Sequence, residues 1–65
     1  ETSDPGDILV AAIKAEMAAV KIYGDWAKQV DDPKIVAFLE GLVKEETVHK
    51  ARLERMYDDE FLTDN

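Results

Sequence analysis

The chain has 65 residues, no cysteine and a net charge of −7, from 15 acidic and 8 basic residues. This length allows one domain at most, and the missing cysteine excludes disulfides and thiolate metal sites. The acidic charge argues against nucleic acid or an anionic membrane surface as a partner. The longest apolar run, residues 8–13, is far shorter than the roughly 20 residues that span a membrane. We therefore expect a soluble, cytoplasmic protein; because it begins with Glu1, it could also be a fragment of a longer protein.

The small size also limits the stability that the chain can reach alone. Below about 70–80 residues, a fold commonly needs disulfides, a metal or a partner chain. Since disulfides are excluded here, metal binding or oligomerisation is expected to supply the missing stability.

The first predicted helix begins at the segment Asp4-Pro5-Gly6-Asp7. Asp4 is a suitable N-cap, and a proline fits the first helical position, where no amide donor is needed. No residue forces a stop before about residue 30. Pro33 disfavours helical geometry at Asp32 and so ends this helix.

The second predicted helix begins at Asp32-Pro33 and runs to about residue 58. The segment after it, 59–65, is acidic, and negative charge at a helix C-terminus is unfavourable, so it is expected to fray. The fold class is thus all-α. A single half domain, residues 1–65, forms an antiparallel hairpin of helices over about 5–30 and 33–58, followed by an acidic tail.

Each helix carries an apolar stripe at helical spacing. Stripe one comprises Leu9, Ala12, Ile13, Glu16, Ala19, Val20, Tyr23, Ala27 and Val30. Stripe two comprises Ile35, Phe38, Leu39, Leu42, Val43, Glu46, His49, Leu53, Met56 and Tyr57. A two-helix hairpin covers only part of such stripes. Dimerisation into a four-helix bundle is the simplest way to cover the rest.

Three polar residues interrupt these stripes: Glu16 in the first, and Glu46 and His49 in the second. Glu16 and Glu46 lie at similar distances from the turn, so they are expected to face each other. Glu46 and His49 have i, i+3 spacing and project from one helical face. A buried, unpaired carboxylate costs several kcal/mol, so these acids need a compensating charge.

A two-fold dimer would bring together four carboxylates and two imidazoles. Two divalent ions would balance their charge, and this ligand set suits iron or manganese better than zinc. Paired helices that carry Glu and Glu-x-x-His are the ligand pattern of di-iron bundles. The alternative is a metal-free assembly module in which the same three residues form a buried polar network. Tyr23, two turns after Glu16, is either a core aromatic or a second layer near the metals.

The residues Ala15-Glu16, Val20 and Tyr23, then Asp32-Pro33, then Glu45-Glu46 and His49 resemble the rubrerythrin branch of the ferritin-like superfamily. The resemblance runs from about Ile8 to Tyr57. The two-helix form is similar to the encapsulated ferritins, whose four-helix bundle is completed by dimerisation.

The resemblance implies a di-iron site shared by two chains, with Glu16 and His49 as terminal ligands and Glu46 as the bridge. It implies a ferroxidase that oxidises Fe(II) to Fe(III) for iron storage. It also implies a ring of dimers inside an encapsulin shell in the cytoplasm. A peroxide-reducing di-iron protein is the alternative within the same resemblance. The physiological metal, the oxidant and the number of dimers stay open.

Overall fold

The computed structural model describes residues 3–62, which form two long helices joined by a short turn. Helix α1 is Pro5–Gln29 and helix α2 is Pro33–Tyr57. A C-terminal π-turn, Asp58–Leu62, follows directly. The described residues contain no strand, so the all-α helical hairpin is confirmed. The last three residues of the predicted acidic tail, 63–65, lie outside the described residues.

Both helices begin at an aspartate–proline pair. The Asp4 carboxylate accepts a hydrogen bond from the Gly6 amide at 3.1 Å, and Asp32 accepts one from the Lys34 amide at 2.8 Å. These bonds satisfy amides that have no partner within the helix. Asp32 has the extended backbone that a following proline favours, so α1 ends before it.

The hairpin is one helix thick. Its extents are 50 × 26 × 12 Å, and a helix with its side chains is about 10–12 Å wide. Each helix therefore has the other as its one neighbour. Among the described apolar side chains, Leu39 alone is buried, at 7% exposure. Much of the apolar surface of both helices is consequently uncovered.

The two stripes differ in how far the hairpin covers them. Every residue of stripe one is half-buried, as its spacing predicts. Stripe two is covered along only one of its two edges. One edge faces α1 and is covered, whereas the other edge is exposed at Ile35, Phe38, His49 and Met56. On the opposite flank, Val36, Lys50 and Glu54 are half-buried although the stripe does not include them.

The first part of the acidic tail, which is expected to fray, forms a C-terminal π-turn at Asp58–Leu62. It carries the Phe61 ring to 5.3 Å from the Tyr57 ring, measured between centroids. The same ring covers the start of α1, where a Cβ added at Gly6 would lie 3.7 Å from it. Gly6 is buried as a result. Phe61 thus joins the start of α1 to the segment that follows α2. This contact offsets the unfavourable charge of the three successive acids after α2.

Candidate metal centre

Glu16, Glu46 and His49 converge at one point between the helices. The Nδ1 atom of His49 lies 3.5 Å from Oε1 of Glu46 and 3.9 Å from Oε2 of Glu16. One ligand atom from each residue lies within 4.8 Å of the other two. The structure thus brings together the three site residues that the sequence predicts, and the described residues contain no other such group.

The helix geometry explains this convergence. Glu46 and His49 are one turn apart on α2 and therefore project from the same face. Glu16 is on α1, at nearly the same distance from the turn of the hairpin. The carboxylates are mostly covered, with side-chain exposures of 22% for Glu16 and 21% for Glu46, whereas His49 is 49% exposed. The site is closed on the hairpin side and open at the imidazole.

The two carboxylates perturb each other. The pKa of Glu16 is raised above its ordinary value of 4.5, chiefly because its side chain shares a hydrogen bond with Glu46. Partial burial and the charge of Glu46 raise it further, while His49 acts in the opposite direction. Two neighbouring carboxyl groups that share one small space raise the pKa in this way.

Two lysines of the hairpin are paired with acids outside the cluster. The Nζ atom of Lys50 is 2.7 Å from a carboxylate oxygen of Glu54, one turn further along α2. On α1, Lys21 pairs with Asp25 at 2.8 Å on the exposed side. The positive charges of both lysines are thus engaged by acids outside the cluster.

The donor set fits a divalent transition metal. Two atoms that bind one ion at about 2.0–2.2 Å can be at most about 4.4 Å apart, and both distances to His49 Nδ1 satisfy this limit. Carboxylate oxygen and imidazole nitrogen are the ligands of non-haem iron and manganese sites. Three donors from one chain leave coordination positions for other groups.

The other candidate residues lie around this cluster. Tyr23 is half-buried on the stripe that faces α2, and its ring lies 6.0 Å from that of Trp26. Tyr23 is about 10 Å along α1 from Glu16. Its place in a second layer of residues near the metals therefore stays a prediction. Glu45, beside Glu46, is exposed.

Neither helix is both long enough and apolar enough to cross a membrane, within the part of the chain that the structure describes.

A comparison with protein families relates this arrangement to known proteins. The sequence model of the Rubrerythrin family matches residues 7–65, which include both helices and all three residues of the cluster. Comparison with curated proteins and with solved structures found no match. The matched family consists of ferritin-like proteins that typically bind iron, and the Glu/Glu/His cluster is the candidate site. The chain belongs to the rubrerythrin family, and its class is that of the ferritin-like di-iron proteins.

Proposed function

We propose that the protein is a ferroxidase, which oxidises Fe(II) to Fe(III) at a di-iron site shared by two copies of the chain. The observation that carries this proposal is the convergence of two mostly covered carboxylates on one half-exposed imidazole nitrogen. Membership of the rubrerythrin family supports the oxidoreductase class, and the choice of iron as substrate belongs to the proposal.

Charge balance favours one divalent ion per chain, which is two ions in a site shared by two copies. One hairpin offers two carboxylates and a neutral imidazole, so two hairpins offer four negative charges. Two Fe(II) ions neutralise these charges. Glu16 and His49 would each hold one ion, and Glu46 would hold both at a fixed separation.

Electron balance supports a pair of ions as well. Each Fe(II) gives up one electron, so two ions together reduce one O₂ to H₂O₂ with the uptake of two protons. The contribution of the chain is to hold both ions in one place and to limit the access of water. The hairpin covers the carboxylates but leaves the imidazole side open, so a second copy is needed to close the site.

The test measures iron binding and iron oxidation separately. Native mass spectrometry after anaerobic addition of Fe(II) should show assemblies with an even number of chains and one iron per chain. When that complex is mixed with O₂, the absorbance of Fe(III) should then appear rapidly. The variant Glu46→Ala with His49→Ala should lose both signals, while Glu40→Ala, an acid exposed elsewhere on α2, should keep both. Oxidation at the parent rate by the double variant would refute the site assignment.

A peroxide-reducing di-iron centre is the second candidate, because family membership is equally consistent with it. The two reactions differ in the oxidant. If H₂O₂ oxidises the loaded protein much faster than O₂ at equal concentration, the peroxide reaction is the correct one. A metal-free assembly module would instead take up no iron, and its melting temperature would not change on chelation.

Storage of the oxidised iron inside an encapsulin shell is the part of the proposal that rests on the resemblance alone. The test is whether the protein co-purifies with such a shell when the two are produced together. Recovery of the free protein alone would remove the shell from the proposal and leave the ferroxidase reaction intact.

A further inference from the structure

The side of the hairpin that faces away from the His49 imidazole carries a seven-residue repeat on α1. Three successive segments, 10–14, 17–21 and 24–28, have an apolar or small residue first, an apolar residue fourth and a lysine fifth. We call this side of the hairpin the lysine face. Because seven residues make almost two helical turns, the lysines form one row and the other residues form a seam beside it. The seam consists of Val10, Ile13, Met17, Val20, Gly24 and Ala27.

The seam is one wall of an open groove between the helices. Met17, at the centre of the seam, is 52% exposed. Nearer the turn, the groove has a volume of about 390 Å³ and an apolar floor, with charged residues at its rim. Its lining consists of Gly24, Ala27, Lys28, Glu40, Val43 and Lys44. A Cβ added at Gly24 would meet nothing within 4 Å, so another chain can approach the backbone of α1 closely there.

Charge is divided unevenly over the chain. Residues 8–57 contain eight acids and eight bases, so the net charge of −7 lies entirely in the terminal segments 1–7 and 58–65. On the helical wheel, five of these bases and three of these acids lie on the lysine face, which gives this face a charge of +2. They are Lys14, Lys21, Lys28, Lys44 and Lys50, and Asp25, Glu40 and Glu54.

Two ion pairs on this face leave an excess of lysines. Lys21 pairs with Asp25 at 2.8 Å, and Lys50 pairs with Glu54 at 2.7 Å. Glu40 is then the one remaining acid beside three further lysines. An apolar groove with a positive rim thus lies on a chain whose overall charge is negative.

We propose that the lysine face binds an α-helix of another protein whose apolar stripe is flanked by acidic residues. The apolar side chains of that helix pack against the seam and Val43, and its acids meet the lysine row. Charges beside an apolar seam choose the partner helix in this way in coiled coils, and amphipathic helices bind apolar grooves. The proposal goes beyond the proposed function, because it names a further partner and uses none of the three residues of the cluster.

The charges and the shape of this face disfavour other occupants. Two copies of the chain that met there about a two-fold axis would oppose lysine to lysine. The acidic segment after α2 of another copy is held by its own chain, where Phe61 covers Gly6. A membrane surface is flat, whereas the apolar floor at Gly24 and Val43 lies in a groove.

A fluorescent peptide tests the proposal on the full, metal-free chain. The probe has three helical heptads, with leucine at the apolar positions and glutamate beside them. In the reference peptide, glutamine replaces each glutamate. Fluorescence anisotropy should show saturable binding of the acidic peptide, and about tenfold weaker binding of the reference peptide. Added salt should weaken binding of the acidic peptide. Equal affinity for both peptides, or no binding of either, would overturn the proposal.

Two matched double variants locate the binding charges. Lys14→Glu with Lys28→Glu reverses the ends of the lysine row. Lys34→Glu with Arg52→Glu reverses two exposed bases on the outer side of α2, away from the groove. Both variants have the same net charge, so general repulsion of the acidic peptide is equal. The first should bind the peptide about tenfold more weakly than the second. Equal binding by the two folded variants would overturn the assignment to the lysine face.

Two glycine variants test the groove itself. Gly24→Leu places a side chain in the groove, whereas Gly41→Leu places one on the outer side of α2. A Cβ meets nothing within 4 Å at either position, so both variants should fold, which helical circular dichroism checks. Gly24→Leu should bind the acidic peptide about tenfold more weakly, because the peptide helix is held away from α1. Equal binding would show that the peptide does not lie in the groove.

Two further results would assign the lysine face to a different occupant. If Lys14→Glu with Lys28→Glu lowered the mass of the assembly in sedimentation and the matched variant did not, a second copy would cover this face. If vesicles of phosphatidylcholine and phosphatidylserine bound the natural chain through these lysines and the acidic peptide did not, the occupant would be a membrane. Either result would overturn the proposal, and neither depends on iron oxidation.

Discussion

Replacement of Leu39 by alanine should be among the most destabilising single changes within the hairpin. Leu39 is 7% exposed. The change removes three carbon groups, each worth about 0.8 kcal/mol when fully buried, so about 2.2 kcal/mol of transfer free energy is lost once the 7% exposure is deducted. A small cavity adds to this, so the total cost should be about 2–3 kcal/mol. Urea titration followed by helical circular dichroism, at one fixed protein concentration, measures it.

Val48→Ala is the matched control, since Val48 is an apolar residue of the same helix and is 54% exposed. Its lost burial of about 0.7 kcal/mol is offset by the better helix propensity of alanine, so stability should change by less than about 0.5 kcal/mol. If Leu39→Ala cost no more than Val48→Ala, the packing of α2 against α1 described above would be wrong.

Two further predictions follow from the helices. The raised pKa of Glu16 stabilises the metal-free fold below the unfolded pKa, and this contribution is lost as the pH rises through the folded value. The urea midpoint should therefore fall as the pH rises from about 4.5, and it should fall less in Glu16→Gln; an equal fall in both proteins would contradict this. Gly24→Ala should raise the free energy of unfolding by up to about 1 kcal/mol, because a Cβ there meets nothing within 4 Å. A lower urea midpoint would show that the added methyl group at position 24 does meet a neighbouring atom.

The sequence predicts the two helices and the convergence of Glu16, Glu46 and His49 for physical reasons that are local. An aspartate–proline pair both caps one helix and ends the previous one, so the bounds at Asp32 follow from two residues. The convergence of Glu16 and Glu46 follows from the near-equal lengths of chain on either side of the turn. Helical periodicity is therefore enough to place them opposite each other.

Periodicity could not divide stripe two into its covered and exposed edges. Phe38 and Leu39 are neighbours on one broad stripe, yet the first is 65% exposed and the second 7%. Which edge meets α1 depends on the rotation of α2 about its axis, and a stripe wider than its partner leaves that rotation undetermined. The C-terminal π-turn was also missed, because the contact of Phe61 with Gly6 joins opposite ends of the chain.

That last contact has a consequence for the order in which the hairpin opens and closes. Gly6 and Phe61 are about 55 residues apart, so closing their loop costs more entropy than closing any pair near the turn. Pairing should thus proceed from the turn outwards, with the aromatic contact formed last. In hydrogen exchange, amides near the start of α1 and the end of α2 should exchange first, and those near the turn last. The Glu16 and Glu46 pair lies midway, so the ends can open and close without separating these two carboxylates.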